Sequence, residues 1–374
     1  MKERDRIAIF VYAFPHRKSQ DFLCELAFAG FRDVLVLAAP WKKLPYTVSE
    51  SFFPTGLSNA EPYDTETLCQ LFGFNFVKIE HSDLDTIQSM VEQFSISLAV
   101  IAGARILKSS IINLFSEGVL NIHPGMIPET SGLDAYFYTI KNQSPMGATA
   151  HFIDARVDAG NLLFFEETLV SAEDSPEIVQ HNNYQTQIRA LRRFIALRDE
   201  GKLYPTKIQR PFKNNPMTGE EKRETIQTFA RWRSERLIEQ AFCALINACK
   251  MGNAEVAVAK LDAFPSLIEK RTRQGWTPLI VATFNQHHVI VKMLLERGAN
   301  PNASGNNGTT TLMYAKTALQ DGAFNDRSLI MTLIEAGADL YRTDFFGKNI
   351  FYYLEKADSI ELRDWMRSLE KGIN

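Results

Sequence analysis

No stretch of the 374-residue chain is long and apolar enough to cross a bilayer, which excludes a membrane-spanning helix. Cysteine is scarce. Cys24, Cys69, Cys243 and Cys249 show no Cys-x-x-Cys spacing and no histidines arranged beside them as a cluster. Neither a disulfide framework nor a metal site is therefore expected, and the four read as buried thiols of a reducing, cytoplasmic setting. Charge of one sign is also lacking, with 41 Lys and Arg against 44 Asp and Glu, a net of −3. Proteins that bind nucleic acid concentrate positive charge on one face, so no nucleic-acid partner is expected. The apolar run 7–14 follows Glu3 and Asp5 and has no small-residue cleavage pattern. It is expected to be a first strand and not a signal peptide. What is present, 45% hydrophobic and 23% charged residues, suits two or three ordinary globular domains.

Three zones follow along the chain. Over 1–170, short β-rich runs at 7–14, 33–39, 74–80, 98–103, 119–122 and 147–154 alternate with helical stretches such as 19–30 and 82–94. That alternation predicts an α/β fold with a parallel, doubly wound sheet. A strand is expected over 161–170. The zone 171–239 holds a helix over 175–200, opened by Ser175-Pro176-Glu177, then an extended segment over 203–215. It is expected to connect domains and to support dimerisation. The zone 240–374 is repetitive. Gly275-Trp276-Thr277-Pro278-Leu279 aligns with Gly308-Thr309-Thr310-Thr311-Leu312 at a 33-residue offset, and Leu294 to Asn300 recurs as Leu333 to Asp339 after an insertion near 320–326.

The chemistry centres on Asn121-Ile122-His123-Pro124-Gly125 and, further on, Asp158 in Val157-Asp158-Ala159-Gly160. Asn121 and His123 are two apart at a strand end, so both side chains share a face. An amide donor, an imidazole and a carboxylate suit transfer of an acyl group to an amine. Asn121 hydrogen-bonds the oxyanion, His123 takes the proton from the attacking nitrogen, and Asp158 fixes its tautomer and raises its basicity. The carboxyl edge of an open α/β sheet is where ligands bind.

On these residues, with the strand Gly147-Ala148-Thr149-Ala150-His151, the stretch 101–158 resembles the N10-formyltetrahydrofolate-dependent formyltransferases. The resemblance implies a Rossmann-like catalytic domain, Asn121, His123 and Asp158 as its catalytic residues, N10-formyltetrahydrofolate as co-substrate and no metal. It places the folate along Gly103, Arg105 and Ile106 and beside Ile153 and Asp154. Members acting on initiator tRNA carry Ser after His-Pro and a nearby Tyr-Arg-Gly, whereas this chain has Gly125 and Glu129-Thr130-Ser131-Gly132-Leu133-Asp134. What remains resembles the branch acting on nucleotide-linked amino sugars, with Glu129, Thr130, His181, Asn182, Tyr184 and Arg189 as candidate substrate contacts. Arg193 and the His16-Arg17-Lys18 segment are further candidates for phosphate.

The C-terminal zone resembles ankyrin repeats, an all-α array in which each unit buries its apolar face only against a neighbour. Ile280 stands where the family usually has histidine. Degenerate units at 245–270 and 347–369 bring the array to about three or four repeats. Such a module is either a structural strut or a second nucleotide site using turn aromatics such as Trp276 and Tyr341. The fusion resembles enzymes that formylate a dTDP-linked 3-amino-3,6-dideoxyhexose for O-antigen and lipopolysaccharide synthesis, working as cytoplasmic homodimers. The alternatives are another amino sugar such as dTDP-4-amino-4,6-dideoxyglucose, a ribonucleotide amine, a formyltetrahydrofolate hydrolase, and a non-enzymatic ankyrin scaffold.

Overall fold

The computed structural model describes residues 6–42, 61–104, 106–154, 160–209, 213–321, 327–357 and 359–370. The chain divides into two compact units, 1–236 and 237–374. In the first, the elements run β1 (Ile7–Tyr12), α1 (Arg17–Phe28), β2 (Val34–Ala39), α2 (Thr65–Phe72), β3 (Asn75–Lys78), α3 (Leu84–Gln93), β4 (Leu98–Ile101), α4 (Ser109–Ile112), β5 (Gly118–His123), α5 (Ala135–Lys141), β6 (Gly147–Ile153), β7 (Gly160–Glu167), α6 (Pro176–Asp199), β8 (Thr206–Lys207) and α7 (Gly219–Gln227). The next helix, α8 (Phe229–Met251), runs across the division between the units.

The strands form one sheet in the order β3-β2-β1-β4-β5-β6-β7-β8. The members from β3 to β5 are parallel, as the strand–helix alternation predicts. The last three pair antiparallel, a departure from the all-parallel expectation. One physical reason is the short link from Ile153 to Gly160, because a parallel crossover needs a dozen or more residues.

Period-two alternation fixes the two faces of the sheet. Ile7, Ile9 and Val11 of β1, Leu120 and Ile122 of β5, and Ala148, Ala150 and Phe152 of β6 pack with Phe22 and Leu26 of α1 and Leu191 and Phe194 of α6. Ala8, Phe10, Ala99 and Val119 pack on the other face with Ile87 and Val91 of α3 and Ile111 of α4. Helices on both faces make the sheet doubly wound. Helix α6 opens as predicted, with Pro176 in its first turn and the Ser175 hydroxyl accepting from Ile178 N. The segment expected to be extended, 203–215, holds the short β8, and α7 follows it, opened by a reciprocal capping box between Thr218 and Glu221.

The second unit continues from α8 through α9 (Ala254–Ala263), α10 (Pro278–Phe284), α11 (His288–Glu296), α12 (Thr311–Asp321), α13 (Ser328–Glu335), α14 (Ile350–Lys356) and α15 (Ile360–Glu370). One continuous apolar core runs through it, from Ala241 to Met366. Equivalent turns carry Gly275, Gly308 and Gly347 at φ of 79°, 81° and 71°, so the repeat seen in the sequence is a repeat of left-handed glycine turns. Thr277 caps α10 by accepting from Ile280 N, and Ile280 is fully buried. Part of the insertion near 320–326 lies outside the described residues.

Two of the four cysteines, Cys69 and Cys249, are buried, and burial pushes both thiols up to about 12. Cys24 is half-buried and Cys243 exposed, which corrects the expectation of four buried thiols. Cys243 lies six residues before Cys249 on α8, a rotation of roughly 240° to the other side of the helix. Among the described residues no helix is long and apolar enough to cross a membrane.

Candidate functional site

Strand β5 delivers Asn121 and His123 to the carboxyl end of the parallel part of the sheet. Leu120 and Ile122 point to the α1/α6 face, so Val119, Asn121 and His123 point to the opposite one, as their spacing predicts. His123 is 4% exposed, and its Nε2 lies 2.9 Å from the Thr130 carbonyl oxygen. A carbonyl only accepts, so Nε2 carries the proton, the unprotonated nitrogen of the neutral ring is Nδ1, and the Thr130 carbonyl takes the tautomer-fixing part that the sequence reading gave to Asp158. Asn121 is half-buried and its Nδ2 donates to Nε2 of the buried His151, 3.1 Å away. That leaves the proton of a neutral His151 on Nδ1.

The antiparallel register sets Asn121 opposite His151 and His123 opposite Thr149, both on the same face as the pair they serve. Thr149 Oγ1 donates to the Gly125 carbonyl at 2.6 Å. Asn183 of α6 donates to the Pro124 carbonyl at 3.1 Å and accepts from Thr168. Gly125 has no room for a side chain, since a Cβ there would lie 2.1 Å from Thr130 Oγ1. The His-Pro-Gly turn is thus held from β6, from α6 and from its own following loop. Replacing His151 by Phe fills the same space but leaves the Asn121 amide without its acceptor. Turnover is expected to fall roughly 10- to 100-fold with little change in thermal stability, and parental turnover would show that Asn121 needs no such support.

Asp158 and Arg105 lie outside the described residues. Of the other positions expected along the folate, Ile153 joins an apolar wall. Ala104 and Ile153 both pack against the α3/α4-side core, which includes Leu107. Ile106 is 79% exposed. At Gly103 a Cβ would meet the Tyr12 ring at 2.8 Å, and the Tyr12 hydroxyl donates to the Ala104 carbonyl. Asp154 is half-buried where the chain leaves β6.

Of the expected substrate contacts, Glu129 is exposed, while Thr130 is buried and offers its carbonyl to His123. His181 and Asn182 are half-buried on α6. The Tyr184 hydroxyl donates to Asp21 at 2.7 Å, which ties α6 to α1, and burial with Asp21 holds it well above the usual phenol range. Arg189 is exposed and reaches the Thr186 hydroxyl at 2.6 Å, while Arg193 pairs with Glu166. In the repeats, the Trp276 indole N–H donates to the Tyr314 hydroxyl at 2.8 Å, and its ring packs on Phe284 and Tyr314. Tyr341 is 57% exposed beside Phe351. Among the described residues no group of His, Cys, Asp and Glu side chains suits a metal ion.

The loop after β1 adds groups to the same edge. Tyr12 and Phe14 stack with centroids 4.9 Å apart, and His16 meets the Tyr12 ring edge-on. His16 caps α1 by accepting from Ser19 N, and Lys18 Nζ donates to the Ile122 carbonyl between Asn121 and His123. Burial, helped by Lys18 and opposed by Asp21, lowers the His16 imidazole from 6.5 to about 4. The unfolded chain therefore binds this proton first on acidification. The stability from neutral His16 is complete above about pH 6.5 and is lost as the pH falls towards about 4. His16→Asn keeps a capping acceptor without the titration. Over that range the parent is expected to lose on the order of 3 kcal/mol more than the variant in denaturant unfolding, and equal losses would show that His16 does not titrate so.

Comparison with known proteins agrees with this division. The formyl transferase family matches residues 54–194, and the family of ankyrin repeats in three copies matches residues 245–344. The chain thus carries a formyl transferase domain followed by ankyrin repeats. A phosphoribosylglycinamide formyltransferase of Haemophilus influenzae is 29% identical over 121 residues, 32% of this chain and 57% of that protein. The trifunctional purine biosynthetic protein adenosine-3 of Gallus gallus is 30% identical over 106 residues, 28% of this chain and 11% of its own length. The chain thus spans little more than half of the first of these relatives and a small part of the second. Among solved structures, a sugar N-formyltransferase of a Shewanella species superposes with a TM-score of 0.41 at 16% identity, over 60% of this chain and 87% of the other.

Proposed function

We propose that the protein transfers the formyl group of N10-formyltetrahydrofolate to the amine of a nucleotide-linked amino sugar, with a dTDP-linked 3-amino-3,6-dideoxyhexose as its acceptor. The observation that carries the reading is the pairing of Asn121 and His123 on one face of β5, each fixed by its own hydrogen bond. The apolar wall of Ala104, Leu107 and Ile153 suits a pterin ring, and the main chain of Gly103 and Ala104 supplies its polar contacts. The folate supplies an activated one-carbon acyl group. The Asn121 amide donates to the formyl oxygen as charge gathers there. His123 Nδ1 accepts the proton released when the sugar nitrogen forms its bond to the formyl carbon, with Asp158 supporting the charged ring. The proton then leaves with the folate nitrogen.

The β1–α1 loop favours a sugar nucleotide over a phosphorylated ribosyl amine. A monophosphate at the sheet's switch point draws on the amide donors of a helix N-terminus. Here the His16 side chain occupies Ser19 N, and the loop is filled by the stacked Tyr12 and Phe14 rings. The exposed ring of Tyr341 offers the repeats a face for a second nucleobase, whereas Trp276 packs on Phe284 and Tyr314. The similarity to phosphoribosylglycinamide formyltransferases favours the other acceptor, glycinamide ribonucleotide, as a second reading.

The test is turnover of N10-formyltetrahydrofolate with dTDP-3-amino-3,6-dideoxyglucose, its galacto epimer, dTDP-4-amino-4,6-dideoxyglucose, UDP-4-amino-4-deoxyarabinose and glycinamide ribonucleotide, read by product mass. One formyl group gained by a single amino sugar supports the proposal. Formylation of the ribonucleotide alone overturns it in favour of the second reading, and formate release without any acceptor identifies a hydrolase.

A further inference from the structure

The loop that holds His123 is itself held by a residue far away in sequence. Asn214 is buried, and its side-chain amide donates to the Glu129 carbonyl at 3.1 Å and to the Ser131 carbonyl at 3.0 Å. Both amide hydrogens of one side chain are therefore spent on the two carbonyls flanking Thr130, whose own carbonyl faces His123 Nε2. The Asn214 main chain adds a third bond, from its N–H to the Ser131 carbonyl at 2.9 Å, and pairs with Gly132 in a parallel bridge. Gly132 permits this approach, because it has φ of 98° and a Cβ there would lie 2.8 Å from the Asn214 carbonyl oxygen.

The same segment grips the loop further on. Met217 N donates to Asp134 Oδ2 at 2.9 Å, and Lys222 of α7 pairs with Asp134 Oδ1 at 2.6 Å, both side chains largely buried. The Tyr138 hydroxyl donates to the Asn215 carbonyl at 2.9 Å. On the other side, Thr130 N and Oγ1 both donate to the Met126 carbonyl. The peptide planes around Thr130 are thus set by groups outside the site.

We propose that Asn214 is a positioning residue for the transfer reaction: by fixing the carbonyls of Glu129 and Ser131 it aims the Thr130 carbonyl at His123 and keeps the ring protonated on Nε2, with Nδ1 as its base. The catalytic part of this statement rests on the function proposed above, and the tautomer part does not. Asn214→Asp has the same shape but sets carboxylate oxygen where the amide donated to two carbonyls, so the loop is pushed and no longer held.

The experiment is nitrogen-15 NMR of full-length protein labelled at histidine, with the His123 signals identified by their absence in His123→Asn. In the parent, Nε2 is expected to bear the proton and Nδ1 to be bare. In Asn214→Asp the two signals are expected to move towards each other as the tautomers exchange. Turnover should then fall roughly 10- to 100-fold, with KM for formyltetrahydrofolate within about twofold of the parent. Asn214→Gln, which keeps the donors on a longer arm, is expected to recover part of the turnover. A proton on Nδ1 in the parent, which needs no variant to observe, overturns the proposal. So does an unchanged Nε2 tautomer in folded Asn214→Asp. If the parent formylates no acceptor, the functional reading falls while the comparison of tautomers still decides the role of Asn214.

Discussion

His123→Asn is expected to fold like the parent and to lose formyl transfer by roughly 10²- to 10⁴-fold, the contribution of a positioned general base. The substitution is chosen for what it keeps. The asparagine amide keeps a planar polar group where the near side of the ring stood, and the loop loses its bond to Nε2 but keeps those from Asn214 and those to Met126. What disappears is the basic ring nitrogen. Folate binding, measured by fluorescence or calorimetry, is expected to persist, because the apolar wall of Ala104 and Ile153 proposed to hold it does not include the His123 ring. The loss therefore belongs in kcat, not KM. Asn121→Ala removes the donor proposed for the formyl oxygen and is expected to cost roughly 10²- to 10³-fold. Asp158→Ala is expected to lose turnover by orders of magnitude as well. Near-parental turnover in any one of the three removes that residue from the mechanism.

Gly160→Ala is expected to give the largest loss of stability among single methyl additions in the first unit, roughly 3 kcal/mol or more. Two costs combine. Gly160 has φ of 108°, a backbone region that side chains rarely adopt and that costs roughly 1–3 kcal/mol. Its new Cβ would also lie 2.1 Å from the Phe152 carbonyl oxygen and 2.9 Å from Asp154 N, both backbone atoms unable to step aside cheaply. Gly160 pairs with Ile153, and its carbonyl accepts from Ile208 N, so displacing it loosens β6, β7 and the start of the chain beyond β8 together. Gly201→Ala is the control, since Gly201 has φ of 66° but nothing within 4 Å of a new Cβ. It is expected to cost about 1 kcal/mol. Denaturant unfolding of the two variants decides the matter, and equal losses would show that the close approach at Gly160 is relieved without cost.

Much was legible in the sequence for definite reasons. The buried runs of β1, β2, β4 and β5 are apolar on both sides because helices cover both faces, and such runs read as strands without reference to their neighbours. The two-residue spacing of Asn121 and His123 put them on one face because strand geometry admits no alternative. The glycine turns at Gly275 and Gly308 marked a repeat, since the same backbone twist recurs wherever the unit does. These features depend on local periodicity and backbone freedom, and a single sequence contains both.

Tertiary structure alone decided the rest. The pairing of β6 against β5 is a choice of strand direction and register, and only that choice sets His151 against Asn121 and Thr149 against His123. Asn183 and Asn214 reach the His-Pro-Gly turn and its loop from positions with no sequence pattern to mark them, because one hydrogen bond between distant residues leaves no periodic trace. Cys243 and Cys249 differ in exposure through the rotation of one helix against its surroundings. The sequence determined which chemical groups the protein carries and which local structures bear them. Which nitrogen of His123 holds the proton followed only from the carbonyl that folding brought to it, since a tautomer is set by its partner across space.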